Sequence, residues 1–179
     1  MTAPPPAAFE QTVLPHLDAA HNLARWLVRD AALAEDVVQD AIVRAIGYYA
    51  TYRGGDARAW LLRIVRNTAY TTLAARRRIT AGHDDTGLDA DAAHEIPDPA
   101  YNPEATLHHR QRGARLDQAL AALPPDLREC LVLRELEELS YKQIAFITGA
   151  PIGTVMSRLW RARRALVSEP GGQGEGAIT

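Results

Sequence analysis

An all-α protein of two small helical domains joined by a flexible acidic linker is the fold class this sequence predicts, on three observations. Every periodic segment repeats its apolar residues at steps of three and four, the spacing of one helix face. No stretch alternates apolar with polar residues, and no Asn-Gly turn offers a hairpin. Between the periodic segments lies TAGHDDTGLDADAAHEIPDPAYNP, residues 80–103, rich in Gly, Pro, Asp and Ala and without a sustained apolar period. Such a composition buries too little surface to offset its conformational entropy, so it reads as a linker. Domains over 8–79 and 104–168 follow, with a disordered tail over 169–179.

In the first domain, Phe9, Val13, Leu17, Ala20, Ala24 and Leu27 form one amphipathic stripe. Pro15 lies inside it, which predicts a kink or a late start. A second helix is expected from about Leu33 to Ile46, burying Val38, Ala41, Ile42, Ala45 and Ile46. GYYATYRGGD breaks the pattern, and Asp56 can cap a third long helix with Trp60, Leu61, Ile64, Val65 and Thr68 facing inward. The second domain opens with a helix carrying Leu107, Leu116, Leu120 and Leu123. LPP stops it, and Pro125 suits the first turn of the next helix, DLRECLVLRELEE. Ser140 and Gln143 form a capping-box pattern that starts YKQIAFIT. Gly149 and Pro151 then force a turn before a last helix from about Ile152 to Val167.

With 179 residues, 47% apolar and 23% charged, the chain has the composition of a soluble globular protein. No apolar run approaches the roughly 20 residues that span a bilayer. The opening MTAPPPAAFE has neither the basic start nor the apolar core of a signal peptide, so a cytoplasmic protein is expected. The single cysteine, Cys130, excludes an intrachain disulfide and, in its apolar run, reads as a core residue. No Cys/His arrangement has zinc-ligand spacing, and neither a metal nor a cofactor is expected.

A net charge of −2 would by itself argue against a nucleic-acid partner. The distribution of charge reverses that inference. Arg53, Arg58, Arg63, Arg66, Arg76, Arg77 and Arg78 face only Asp56 in sequence, whereas His83 to Glu104 holds seven acids and no Lys or Arg. SYKQIAFITGAPIGTVMSRLWRARRAL then carries Lys142, Arg158, Arg161, Arg163 and Arg164 and no acid. A short capped helix, a glycine turn and a longer basic helix make a helix-turn-helix signature. Ala145 is small where the helices would cross, Val155 and Leu159 would anchor the second helix, and Thr154, Ser157, Arg158 and Arg161 would lie toward solvent. Such helices enter the major groove, where Arg pairs with guanine and Ser or Thr contacts bases or phosphates. A solvated basic face on an ordinary helical hairpin is the bland alternative; the coincidence of cap, small residue, turn glycine and acid-free helix weighs against it.

A helix-turn-helix leaves initiator, repressor and activator open, and the first domain narrows the choice. AEDVVQDAIVRAI, GGDARAWLLRIVRN, LPPDLRECLVLRELEELSYKQIA and PIGTVMSRLWRARRAL, in this order, strongly resemble the extracytoplasmic-function sigma factors of the sigma-70 family. The resemblance implies a region 2 helical bundle followed by a region 4 helix-turn-helix domain, in a factor that binds core RNA polymerase and directs it to promoters. It implies that Asp36, Gln39, Asp40 and Arg44 lie on the helix that meets the beta-prime clamp helices, the beta subunit being a further partner. It places Tyr48, Tyr49, Tyr52, Arg58, Arg63, Arg66 and Asn67 in the segment that melts the −10 element and holds its unpaired strand. Aromatic rings that stack on bases and arginines that follow phosphates suit that task, though Trp60, at helical spacing with Ile64, reads as core. It places Lys142, Thr154, Ser157, Arg158, Arg161 and Arg163 in the segment that reads the −35 duplex. Glu129, Glu135, Glu137 and Glu138 fall in region 4.1 or form a solvated charged face. An anti-sigma factor, often membrane-bound, is the further partner implied.

Two departures from the family pattern stand out: Ile42-Val43 after the VQD motif, where bulkier residues are common, and Met156, where a charge is common. The second puts any transfer of base preference in doubt. Three other readings compete, one of them a sigma-like module that only sequesters a regulator, which the retention of both DNA-facing surfaces argues against. Asp36 and Asp40 share a helix face, but no third ligand, nucleophile motif or phosphate loop accompanies them, which argues against an enzyme or a small-molecule substrate. An autonomous repressor would need a dimerisation element, and none is visible.

Overall fold

The computed structural model describes residues 7–82 and 103–168, all of it helix, turn and loop. Most of the expected linker and the whole expected tail lie outside these residues.

The first module holds four helices. Helix α1, Ala7–Val13, is separated from α2, Leu17–Val28, by a 3-10 turn at Leu14–His16. The single kinked helix expected here is therefore two: Pro15 has no N–H to continue the ladder, and the chain tightens into the 3-10 turn instead. Helix α3, Ala31–Tyr48, starts where the Asp30 carboxylate accepts from the Leu33 N–H at 2.9 Å, and buries Leu33, Ala34, Val37, Val38, Ala41 and Ala45. Helix α4, Ala57–Ala81, starts at Asp56 in the same way, with the Ala59 N–H at 2.9 Å. It runs past the expected end of the domain. Its Leu61, Leu62, Val65, Thr68 and Ala69 are buried, while Trp60 and Ile64 pack at the core edge. Helices α2, α3 and α4 pack on one another.

The second module follows the reading closely. Helix α5 spans Pro103–Ala122; Leu120 and, just past its end, Leu123 are buried, Leu116 is exposed, and the side chain of Leu107 lies outside those described. Pro125 opens α6, Pro125–Glu135. At α7, Tyr141–Thr148, the Ser140 hydroxyl accepts from the Gln143 N–H at 3.1 Å and the Gln143 side chain accepts from the Ser140 N–H at 2.8 Å. Gly149 closes α7 at φ +71°, a conformation that strains any residue with a Cβ. Helix α8, Ile152–Ser168, buries Val155, Leu159 and Ala162 against the rest of the module. Replacing Ser140 by Ala removes one half of the cap box; urea unfolding is expected to show a loss of about 1 kcal/mol.

The two modules are not merely tethered. All seven residues Leu127–Leu133 of α6 are buried, which a helix achieves only when more than one face is covered. One side of α6 meets α7 and α8, another meets α2, and α7 lies on α4. Cys130, as expected, is a core residue; burial pushes its thiol up to about 11.

Candidate nucleic-acid interface

On α3 the apolar positions turn inward, so Asp36, Gln39 and Asp40 are left exposed on the opposite face. The Arg44 guanidinium donates to the Asp40 carboxylate at 3.2 Å, one helical turn away. This face is exposed and acidic.

The three tyrosines expected to stack on bases separate into different environments. Tyr48 is 53% exposed. Tyr49 packs edge-on to Phe9 at 5.3 Å and stacks on Tyr52 at 5.9 Å, which ties it to the core. Tyr52 lies 4.9 Å from Trp60 and donates to the Gly55 carbonyl at 2.9 Å. Gly54 and Gly55 at φ +84° and +96° let the chain turn here. Tyr52 and Trp60 then form one wall of a cleft of about 470 Å³, with Lys142, Gln143 and Phe146 of α7 on the other.

Along α4, Arg58, Arg63 and Arg66 all point at the second module. Arg58 donates to the Glu137 carboxylate at 2.5 Å. Arg63 lies over the Phe146 ring at 4.8 Å. Arg66 lies over the Tyr70 ring at 4.5 Å and donates to both Glu129 oxygens at 3.2 and 3.3 Å. Tyr70 donates its hydroxyl to Glu129 at 2.6 Å. Burial and the adjacent Glu129 charge push this phenol far above its ordinary range, so it remains a donor. Asn67 is exposed. Glu129 and Glu137 are 0% and 5% exposed, so neither belongs to a solvated face. Asp56 joins the contact: its second oxygen accepts from the Gln143 amide at 2.6 Å. The Ala59 N–H and then this amide hold its carboxyl below the ordinary value.

On α8, Ser157 and Arg161 are exposed and Thr154 is half-buried. Arg158, expected to face solvent freely, is instead turned toward α6: its side chain is 22% exposed, with Nε 3.6 Å from the Asp126 carboxylate. Arg163 donates to Glu135 at 2.7 Å. Lys142 is exposed on α7. Met156 and Trp160 share the outer surface of α8, with Arg164 stacked over Trp160 at 5.0 Å. Arg161 is thus the one member of the expected −35 set on α8 that is a fully presented cation.

The first module matches the family described as Sigma-70 region 2 over residues 12–79, and the second matches Sigma-70, region 4 over residues 113–166. The RNA polymerase sigma-H factor of Pseudomonas aeruginosa is 39% identical over 163 residues, covering 89% of this chain and 84% of that protein. The ECF RNA polymerase sigma-E factor of Escherichia coli is 38% identical over 138 residues, covering 73% of this chain and 70% of that protein. The chain belongs to the ECF sigma factors of the sigma-70 family. Solved structures agree on the fold. The sigma factor RpoE of Bartonella quintana, in complex with the anti-sigma factor NepR, superposes with a TM-score of 0.74 at 30% identity, over 89% of this chain and 94% of that one. CnrH, in complex with the cytosolic domain of CnrY, gives 0.62 at 25% identity, over 93% and 90%.

Six residues of this sigma factor entered the site without being singled out as functional: Tyr70, Phe146, Asp126, the capping residues Asp56 and Gln143, and Asn22, which donates to Glu137 at 3.3 Å. Each acts across the chain, Asn22 on a residue 115 positions away, a distance that no local pattern reports. Among the described residues no helix is long and apolar enough to cross a membrane, and no three His, Cys, Asp or Glu converge as a metal site.

Proposed function

We propose that this sigma factor docks on core RNA polymerase through the exposed Asp36, Gln39 and Asp40 face of α3 and delivers it to promoters bearing −10 and −35 elements. Arg58, Arg63, Arg66 and Asn67, with Tyr48 and Tyr52, hold the melted −10 strand; the outer face of α8, led by Arg161, reads the −35 duplex. An anti-sigma factor holds the protein inactive, a reading supported by the anti-sigma partners present in both similar structures. The single observation that carries the proposal is the order of the modules: a region 2 bundle with a free acidic face, then a helix-turn-helix whose second helix has no acid on it. Neither DNA contact needs to be tight alone, because tethering raises the effective concentration of the second once the first has formed.

Run-off transcription with core polymerase and a cognate promoter tests this reading. Initiation is expected with the intact protein, and Asp40→Ala is expected to weaken polymerase binding and run-off while leaving duplex binding by the second module unchanged. Tight DNA binding that never supports initiation would replace the proposal with an autonomous repressor. Unchanged polymerase affinity in the variant would remove Asp40 from the docking face.

A further inference from the structure

Two of the arginines assigned to the melted strand, Arg58 and Arg66, are already occupied. Glu137 takes Arg58 and Glu129 takes Arg66, while Arg63, still exposed, leans on the Phe146 ring. All three partner groups come from the second module, on α6, on α7 and on the loop between them. To a guanidinium, a carboxylate and a phosphate are the same kind of ligand, an anion that accepts two parallel N–H donors. An arginine donating to a buried carboxylate cannot offer the same hydrogens to a strand.

We propose that the packed arrangement is an autoinhibited state in which Glu129 and Glu137 stand in for the strand's phosphates, so that DNA capture and module closure compete for Arg58 and Arg66. The inference rests on the strand-binding role given to those arginines above. The same interface contains an opposing element. Arg128 on α6 is 7% exposed, its Nε has no hydrogen-bond partner among the described residues, and burial, with the cationic Arg29 at the end of α2, disfavours its charge. A buried cation with an unsatisfied donor costs free energy. Opening the modules returns Arg128 to water while it releases Glu129 and Glu137, so two ion pairs and the packing of α6 on α2 and of α7 on α4 hold the latch closed, and the poorly solvated Arg128 presses it open. Such opposition makes a contact that a competing anion can break.

The test uses the full-length chain. Small-angle X-ray scattering reports closure, and fluorescence anisotropy with a labelled mixed-sequence single-stranded 12-mer reports access to the arginines. Wild type is expected to be compact at low salt, to expand as NaCl rises through the range that screens ion pairs, and to expand on saturation with the 12-mer. The Glu129→Gln/Glu137→Gln variant is expected to be expanded at low salt and to bind the 12-mer about tenfold more tightly, since Arg58 and Arg66 are then freed of their buried carboxylate partners. The exchange Arg58→Glu/Glu137→Arg is expected to restore compactness relative to Glu137→Arg alone, without restoring strand affinity. Should the Gln variant fail to give a cooperative thermal melt, wild type decides: compactness unchanged by salt and by bound 12-mer overturns the latch. A folded Gln variant that stays compact, or one that opens without gaining strand affinity, overturns it as well. Run-off transcription by wild type separates the two failures: a protein that initiates, yet remains compact with strand bound, keeps its sigma-factor function and loses the latch.

Discussion

Leu61→Ala is expected to lower the stability of the protein by about 2–5 kcal/mol, the range for emptying a fully buried leucine site. Leu61 is 0% exposed and sits in the first turns of α4, the helix that packs against α2, α3 and α7. The loss has two parts: the transfer of the leucine side chain, and a cavity that three surrounding helices cannot close without moving one another. For a chain of this size each kcal/mol corresponds to about 2–4 °C, so the melting midpoint is expected to fall by roughly 4–20 °C in a scanning calorimeter. Leu14→Ala provides the contrast. Leu14 is 56% exposed in the 3-10 turn, and its replacement is expected to stay within about 0.5 kcal/mol of wild type. A Leu61 loss below about 1 kcal/mol would mean that α4 repacks freely, which the burial of its neighbours Leu62 and Val65 argues against.

That contrast shows which parts of the fold could be read from residues alone. Caps and turns were legible because their chemistry involves chain neighbours: Asp56 with Ala59, Ser140 with Gln143, and the left-handed Gly149 all lie within a few residues of the groups they satisfy. The break at Pro15 was legible in position but not in form, since sequence shows the missing donor and not whether the chain bends or divides. Family membership was legible because the motifs of both modules occur in order, and the order itself carries the information. The docking of the modules was not. Its partners are Arg66 and Glu129, 63 residues apart, and Arg58 and Glu137, 79 apart, on opposite sides of a segment that reads as a spacer. One signal was present in LRECLVL: Leu127, Cys130, Leu131, Val132 and Leu133 cover more than a single helix stripe, the pattern of a helix buried on two sides. With Glu129 inside that run, a buried carboxylate needing a cation followed, but not which arginine would supply it.

The reassignment on α8 leads to the second large effect. Arg161→Ala is expected to weaken binding to the −35 duplex by about 1–3 kcal/mol, a factor of roughly 5 to 150, and to relax preference at one base pair. The residue is exposed on the second helix of the helix-turn-helix, and the exposed Ser157 lies one turn before it. Arg163 differs, being tied to Glu135 at 2.7 Å, and Arg158 differs again, leaning on α6 toward Asp126. An arginine already near a carboxylate must leave that charge in order to reach a base, so part of its interaction with DNA is offset before any is gained. Arg158→Ala is therefore expected to cost less selectivity than Arg161→Ala. Anisotropy titrations on a panel of −35 duplexes with single base changes measure both variants. Equal weakening on every duplex, with the salt slope reduced by about one, would make Arg161 a phosphate contact. Loss of preference at Arg158 and none at Arg161 would mean that α8 turns on its module when it meets DNA, carrying Arg158 away from Asp126 and into the groove.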